Sequence, residues 1–149
     1  MIEITNPLTK KSGQGFGGLS APDRKRVELR AMELGSAWLT TRGYRVRDTS
    51  ASNPYDFEAE KGEERVKIEV KGTTSNLCDA ILMTRNEVEL HRIEKGQTAL
   101  FIVYGIKISG LGDSRIASGG TLEVLWAWEI DSCVVEPTAY RVQLLRHRI

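Results

Sequence analysis

The sequence predicts an α/β (α+β) domain, a mixed β-sheet flanked by helices with the core order αβββαβ. Three observations carry this expectation. A capped amphipathic helix stands at residues 20–43, two alternating runs joined by a Lys-Gly-Glu turn follow it, and a second capped helix leads into a long β-branched run. Helix and strand signals are interleaved, which sets helices against a sheet. At 149 residues, with 40% hydrophobic and 28% charged side chains, the chain has the makeup of one globular unit with one core.

Residues 1–20 contain GQGFGG and few apolar side chains, and read as a flexible lead-in to a single domain over 21–149. No Gly-Lys-Ser/Thr follows, so this is not a phosphate loop. Ser20 serves as N-cap of the first helix, Pro22 sits in its first turn, and Asp23 supplies the acid of a capping box. Val27, Ala31, Leu34 and Trp38, with Met32, Gly35 and Leu39, recur at helical spacing as far as Arg42, and Gly43 closes the helix. YRVRDTS (44–50) alternates as a strand does, and SASNP is a turn. YDFEAE and ERVKIEVK are the arms of a hairpin. GTTSNLCD is a loop and AILM (80–83) a short strand. Thr84-Arg85-Asn86-Glu87 is a capping box opening a helix through about Glu94, which Gly96 ends. TALFIVYGIKIS is a central strand, SGLGDSRIASGG (109–120) a loop, TLEVLWAWEI a strand paired with the central one, and 138–146 a last short strand.

Several function classes fall away. No apolar run approaches the ~20 residues of a membrane helix. MIEITNPLTK lacks the basic and apolar regions of an export signal, and Cys78 and Cys133 are too few for a disulfide framework. Both cysteines are therefore expected as reduced thiols in a cytoplasmic protein. Neither a GxSxG motif nor a Cys/His pair is present, and His91 and His147 lack a second ligand at a useful spacing. Trp38, Trp126 and Trp128 read as core or sheet-face aromatics. The net charge of +1 is uneven: six basic against three acidic residues in 1–30, three arginines and no acid in 138–149, and a net of −5 between. That pattern suits a polyanion approaching a site that holds a cation, or simply solvated surface charge.

The hairpin carries the sharpest signal. A turn centred on Gly62-Glu63 sets Glu60 opposite Arg65, Glu58 opposite Lys67 and Asp56 opposite Glu69, all on one face with Lys71. Tyr55, Phe57, Ala59, Val66, Ile68 and Val70 form the other, core face. Cross-strand salt pairs on a half-exposed face explain the first two pairs. They do not explain Asp56 against Glu69, where two carboxylates side by side are destabilising without a proton or cation between them. Two acids and a lysine at a hairpin end look like a site that binds a divalent cation and acts beside it.

Pro54-Tyr55-Asp56 and, after a gap of 12 residues, Glu69-Val70-Lys71 resemble the PD-(D/E)xK motif of restriction-endonuclease-like nucleases. IEVKGTTS, LMTRNEVEL and LFIVYGI resemble more narrowly the NO VEIN C-terminal-type branch, found in restriction and phage-defence systems. The likeness covers roughly residues 24–130; Tyr55 departs from it by separating Pro54 from the acid. The resemblance implies a restriction-endonuclease-like sheet and a metal-dependent deoxyribonuclease. Asp56, Glu69 and the Val70 carbonyl would ligate Mg²⁺, with Mn²⁺ able to substitute. Lys71 would orient or deprotonate the attacking water, or offset charge on the phosphate, and Glu28, or else Glu33, would be the helix acid. Thr73, Thr74 and Ser75 either contact phosphate or merely form a turn. Lys25, Arg26 and Arg30 either bind the DNA backbone or are solvated. DNA is the expected partner, with a homodimer partner or other defence subunits beside it and no membrane. Alanine at Asp56, Glu69 or Lys71 is expected to abolish cleavage with the fold intact. The alternative is an inactive nuclease-fold module that binds nucleic acid or protein.

Overall fold

Helix α1 (Ala21–Thr41) begins where the capping signal places it, with the Ser20 side chain accepting the Asp23 N–H at 3.2 Å. The computed structural model describes residues 18–145. After α1 come β1 (Arg45–Asp48), β2 (Phe57–Lys61), β3 (Glu64–Gly72), α2 (Arg85–Ile93), β4 (Thr98–Ser109) and β5 (Ile116–Trp126). Short 3₁₀ turns occur at Gly112–Ser114 and Ile130–Ser132. The strands form one mixed sheet in chain order, antiparallel throughout except for the parallel β3–β4 pair. A parallel pair needs a crossover, and residues 73–97 with α2 provide it. The expected order αβββαβ is therefore the observed one, with β5 added at the edge. The predicted lead-in lies outside the described residues, apart from Gly18–Ser20.

The sheet has two buried faces of different chemistry. One packs Phe57, Ala59, Val66, Ile68, Val70, Phe101, Val103 and Ile106 against Val27, Ala31, Met32 and Leu39 of α1. Trp38 lies edge-on to Phe101 with ring centroids 5.4 Å apart and reaches Trp126 at 5.8 Å, so both indoles close the rim of this core. Polar ties pin α1 across β5. Arg115 donates twice to Asp23, both at 2.8 Å, and holds its carboxyl at about 2. Arg26 and Arg30 donate to the Arg115 and Gly119 carbonyls at 3.1 and 3.0 Å. The other face lies under α2.

Four sequence expectations are corrected. AILM is not a strand: it lies in the crossover between β3 and α2 and pairs with no strand of the sheet. The span 109–120 is not all loop: β5 starts at Ile116 and runs through Gly119 and Gly120, whose positive φ angles (67° and 100°) keep the ladder going beside β4. A side chain at Gly120 would meet Val103 at 2.8 Å, so the pair reads as loop by composition but serves close packing. No strand forms over 138–145, where Tyr140, Val142, Leu144 and Leu145 stay exposed; residues 146–149 lie outside the described residues. Tyr55 does not face the α1 core. Its hydroxyl lies 3.3 Å from Glu58 Oε2 and Lys67 sits over its ring, which places it on the polar face.

Gly72 lets α1 approach the end of β3, since a Cβ there would sit 2.9 Å from Ala31 Cβ and 3.2 Å from Val27 Cγ1. Gly72→Ala is expected to cost about 1–3 kcal/mol of stability by overpacking, measured by denaturant unfolding.

Candidate active site

The hairpin register is the one read from the charges: Lys61 opposite Glu64, Glu60 opposite Arg65, Glu58 opposite Lys67. Asp56 extends it by one step before β2. Its N–H donates to the Ile68 carbonyl, its own carbonyl accepts from Thr49, and its Oδ2 accepts the Val70 N–H at 2.8 Å. Main-chain bonds on three sides thus fix this carboxylate at the mouth of the hairpin. The side-chain pairings run diagonally. Glu58 pairs with Arg47 at 2.8 Å and Arg65 at 3.5 Å, while Lys67 reaches Glu94, just past the end of α2, at 2.8 Å.

The acid–lysine end of this face is not half-exposed. Glu69 is 1% and Lys71 0% exposed, and Asp56 is also buried. Helix α2 covers them, because the parallel crossover brings its inner face, Glu87 and His91, over β3. Lys71 Nζ lies 2.7 Å from Glu69 Oε1 and 3.2 Å from Glu87 Oε2. Glu87 Oε2 also accepts the Thr84 N–H at 2.9 Å, closing the capping box. The sequence marks Glu87 as a cap residue; its burial and its lysine partner depend on where the crossover lands. Nothing local signals either.

Two buried carboxyls, Glu69 and Glu87, flank the Lys71 ammonium, and burial governs the chemistry of this end of the sheet. Desolvation, with the Asp56 and Glu87 charges, pushes Glu69 up to about 8 against the pull of Lys71. Burial raises Asp56 as well. His91 is fully buried and held neutral, down to about 4, mainly by desolvation. Its Nδ1 accepts the Trp128 indole N–H at 2.9 Å, leaving the proton on Nε2, which has no partner. Among the described residues no three His, Cys, Asp or Glu side chains converge as a metal cage. The donor set nonetheless fits a hard cation that keeps several waters. Asp56 and Glu69 repel each other, and Glu69 Oε1, paired with Lys71 at 2.7 Å, has no other partner among the described residues.

The remaining candidates are placed as follows. Glu28 lies on α1, on the opposite side of the sheet from Glu69 and Lys71, and pairs with Lys25 at 3.3 Å. Glu33 is solvent-facing and pairs with Arg30. Arg26 and Arg30 are committed to the α1–β5 ties, whereas Lys25 is exposed. Thr73 is buried and its Oγ1 accepts the Ser75 N–H at 3.1 Å, so it forms a turn; Thr74 is exposed. A cleft lined by Ser50, Ser52, Asn53, Thr84, Asn86 and Glu87 opens beside the start of α2.

A five-stranded α+β domain with an acid–lysine cluster sealed beneath its crossover helix is the class of protein these features define. The family described as Protein NO VEIN, C-terminal, matches residues 27–113, more than half of the chain, and the chain belongs to it. The match includes Asp56, Glu69, Lys71, Glu87 and His91 and stops before β5. No curated protein and no solved structure matches the chain.

Burial corrects the expectation that alanine at Lys71 spares the fold. Lys71→Ala strands two buried carboxylates and is expected to lose about 3–5 kcal/mol, read by denaturant unfolding. A pH dependence follows from Glu69. Between about 6.5 and 8 the folded chain retains a proton that the unfolded chain has released, so stability falls as pH rises. Below 6.5 the neutral His91 opposes this slope, since there the unfolded chain binds the extra proton. The expected slope above 6.5 is at most about 1.4 kcal/mol per pH unit, and Glu69→Gln should flatten it in unfolding measured at several pH values.

Proposed function

We propose that the chain is a metal-dependent deoxyribonuclease domain that hydrolyses DNA phosphodiester bonds within a restriction or phage-defence system. The observation that supports this best is the buried cluster itself: Glu69 and Glu87 on Lys71, with Asp56 beside Glu69. Carboxylates buried close together are stabilised by a divalent cation, and membership of the NO VEIN C-terminal family agrees with it. Asp56 and Glu69 would hold Mg²⁺, or Mn²⁺ in its place, with the Val70 carbonyl as the resemblance implies. Such an ion lowers the pKa of a bound water and offsets charge on the phosphate.

The chain's own residues supply the rest. Asp56 is oriented in advance by the Val70 N–H, so little order is lost when it binds. Lys71 places its ammonium beside the acids, where it can offset phosphate charge or hold the attacking water. Lys25, exposed at the helix start, would contact the DNA backbone. With Arg26 and Arg30 engaged in the fold, backbone binding must draw on other cations, such as the arginines of 138–149.

One observation favours a second reading, a nuclease-fold module that binds nucleic acid or protein without cutting. Lys71 and Glu69 are closed off from solvent, so cleavage requires α2 to yield or a partner to open it. Incubation with plasmid, linear duplex and single-stranded DNA in Mg²⁺, Mn²⁺ or EDTA decides between them. The expected result is metal-dependent cleavage, lowered about a hundredfold or more in Asp56→Asn, which keeps an acceptor for Val70. Salt-sensitive DNA binding without cleavage would establish the second reading.

A further inference from the structure

We propose that Glu87 is the positioning residue for Lys71, holding its ammonium in place through the capping box of α2. The observation is a double use of one oxygen. Glu87 Oε2 accepts the Thr84 N–H at 2.9 Å and lies 3.2 Å from Lys71 Nζ. The Glu87 N–H in turn donates to Thr84 Oγ1 at 3.3 Å. A capping-box glutamate needs no burial to do its work, since caps function at solvated helix ends. This one is only 8% exposed, against a lysine exposed at 0%. Burying an acid solely to cap a helix is unfavourable unless its charge is matched, and Lys71 is the match.

The geometry separates the roles of the two acids on Lys71. Glu69 neighbours Asp56 and, on the nuclease reading, must turn oxygens toward a cation. Its 2.7 Å contact with Lys71 Nζ would then be shared with that cation. Glu87 is held by the cap whether or not a cation is bound. A lysine ammonium sits on a flexible four-carbon stem, so its position depends on such an anchor. The anchor is itself braced. His91, one turn along α2, receives the Trp128 indole N–H, and Arg92 and Lys95 pair with Asp131 at 2.9 and 3.3 Å. The segment after β5 thus clasps α2 onto the sheet, from residues beyond the family match.

The effect on turnover rests on the nuclease reading; the effect on Lys71 does not. The test compares Glu87→Gln with Thr84→Ala, which weakens the cap but leaves the Glu87 carboxylate. Two readouts are taken, the side-chain ammonium spectrum of protein carrying isotope-labelled lysine and the metal-dependent cleavage rate. Lys71, the fully buried lysine among the described residues, should give an ammonium signal protected from water. Glu87→Gln is expected to shift that signal or expose it to exchange, and to lower kcat about tenfold to a hundredfold with KM little changed. Thr84→Ala should lower the melting temperature yet leave the signal in place. A Lys71 signal unmoved by Glu87→Gln, or moved equally by Thr84→Ala, overturns the proposal. Absence of cleavage by the wild type defeats the nuclease reading while the spectrum still decides this one. Should Glu87→Gln not fold, Glu87→Asp, which shortens the reach, carries the same comparison.

Discussion

The ion pair that Lys71 makes with Glu69 and Glu87 is the constraint on which this structure turns. Without that ammonium, the crossover would press Glu87 onto the hairpin acids and the second face of the sheet could not close. Buried ion pairs are a weak route to stability, since apolar residues of the same shape do as well or better. A second hydrophobic face would have closed the sheet at least as firmly. The charged version makes sense if the cluster is there to meet something charged.

The two sheet faces divide the labour. The α1 face is an ordinary apolar core, drawn tight at Gly72 and fastened by Asp23, Arg26, Arg30 and Arg115. It makes β3 rigid, and period-2 alternation then presents Glu69 and Lys71 on the opposite face at fixed height. The α2 face is polar, held by the capping box and by the turn around Trp128 and Asp131. Helix α2 is short and rests on charged contacts rather than on the apolar core.

Much of this was legible in the residues, for local reasons. Ser20 and Asp23 mark the start of α1, and the alternation of Phe57 to Val70 with its facing charges fixes the hairpin register, because a one-residue slip would send charges into the core. Burial of the polar face was not legible. Alternating charges read as a solvated surface until a helix from the far side of a crossover lands on them, and no local pattern announces that landing. For the same reason Glu87 was visible only as a cap and Tyr55 was placed on the wrong face. AILM and the 138–146 run satisfied strand propensity, yet within the described residues neither pairs with the sheet. Gly119 and Gly120 hid a strand that the long β4 edge could carry.

The central claim is that Asp56 and Glu69 together form a site for a divalent cation. Calorimetric titration of the DNA-free protein with Mn²⁺ tests it most directly, with Asp56→Asn and Glu69→Gln alongside. The account requires one saturable Mn²⁺ per wild-type chain, lost in both variants while each still unfolds cooperatively. Wild-type protein that takes up no ion, or variants that bind it as the wild type does, would contradict it.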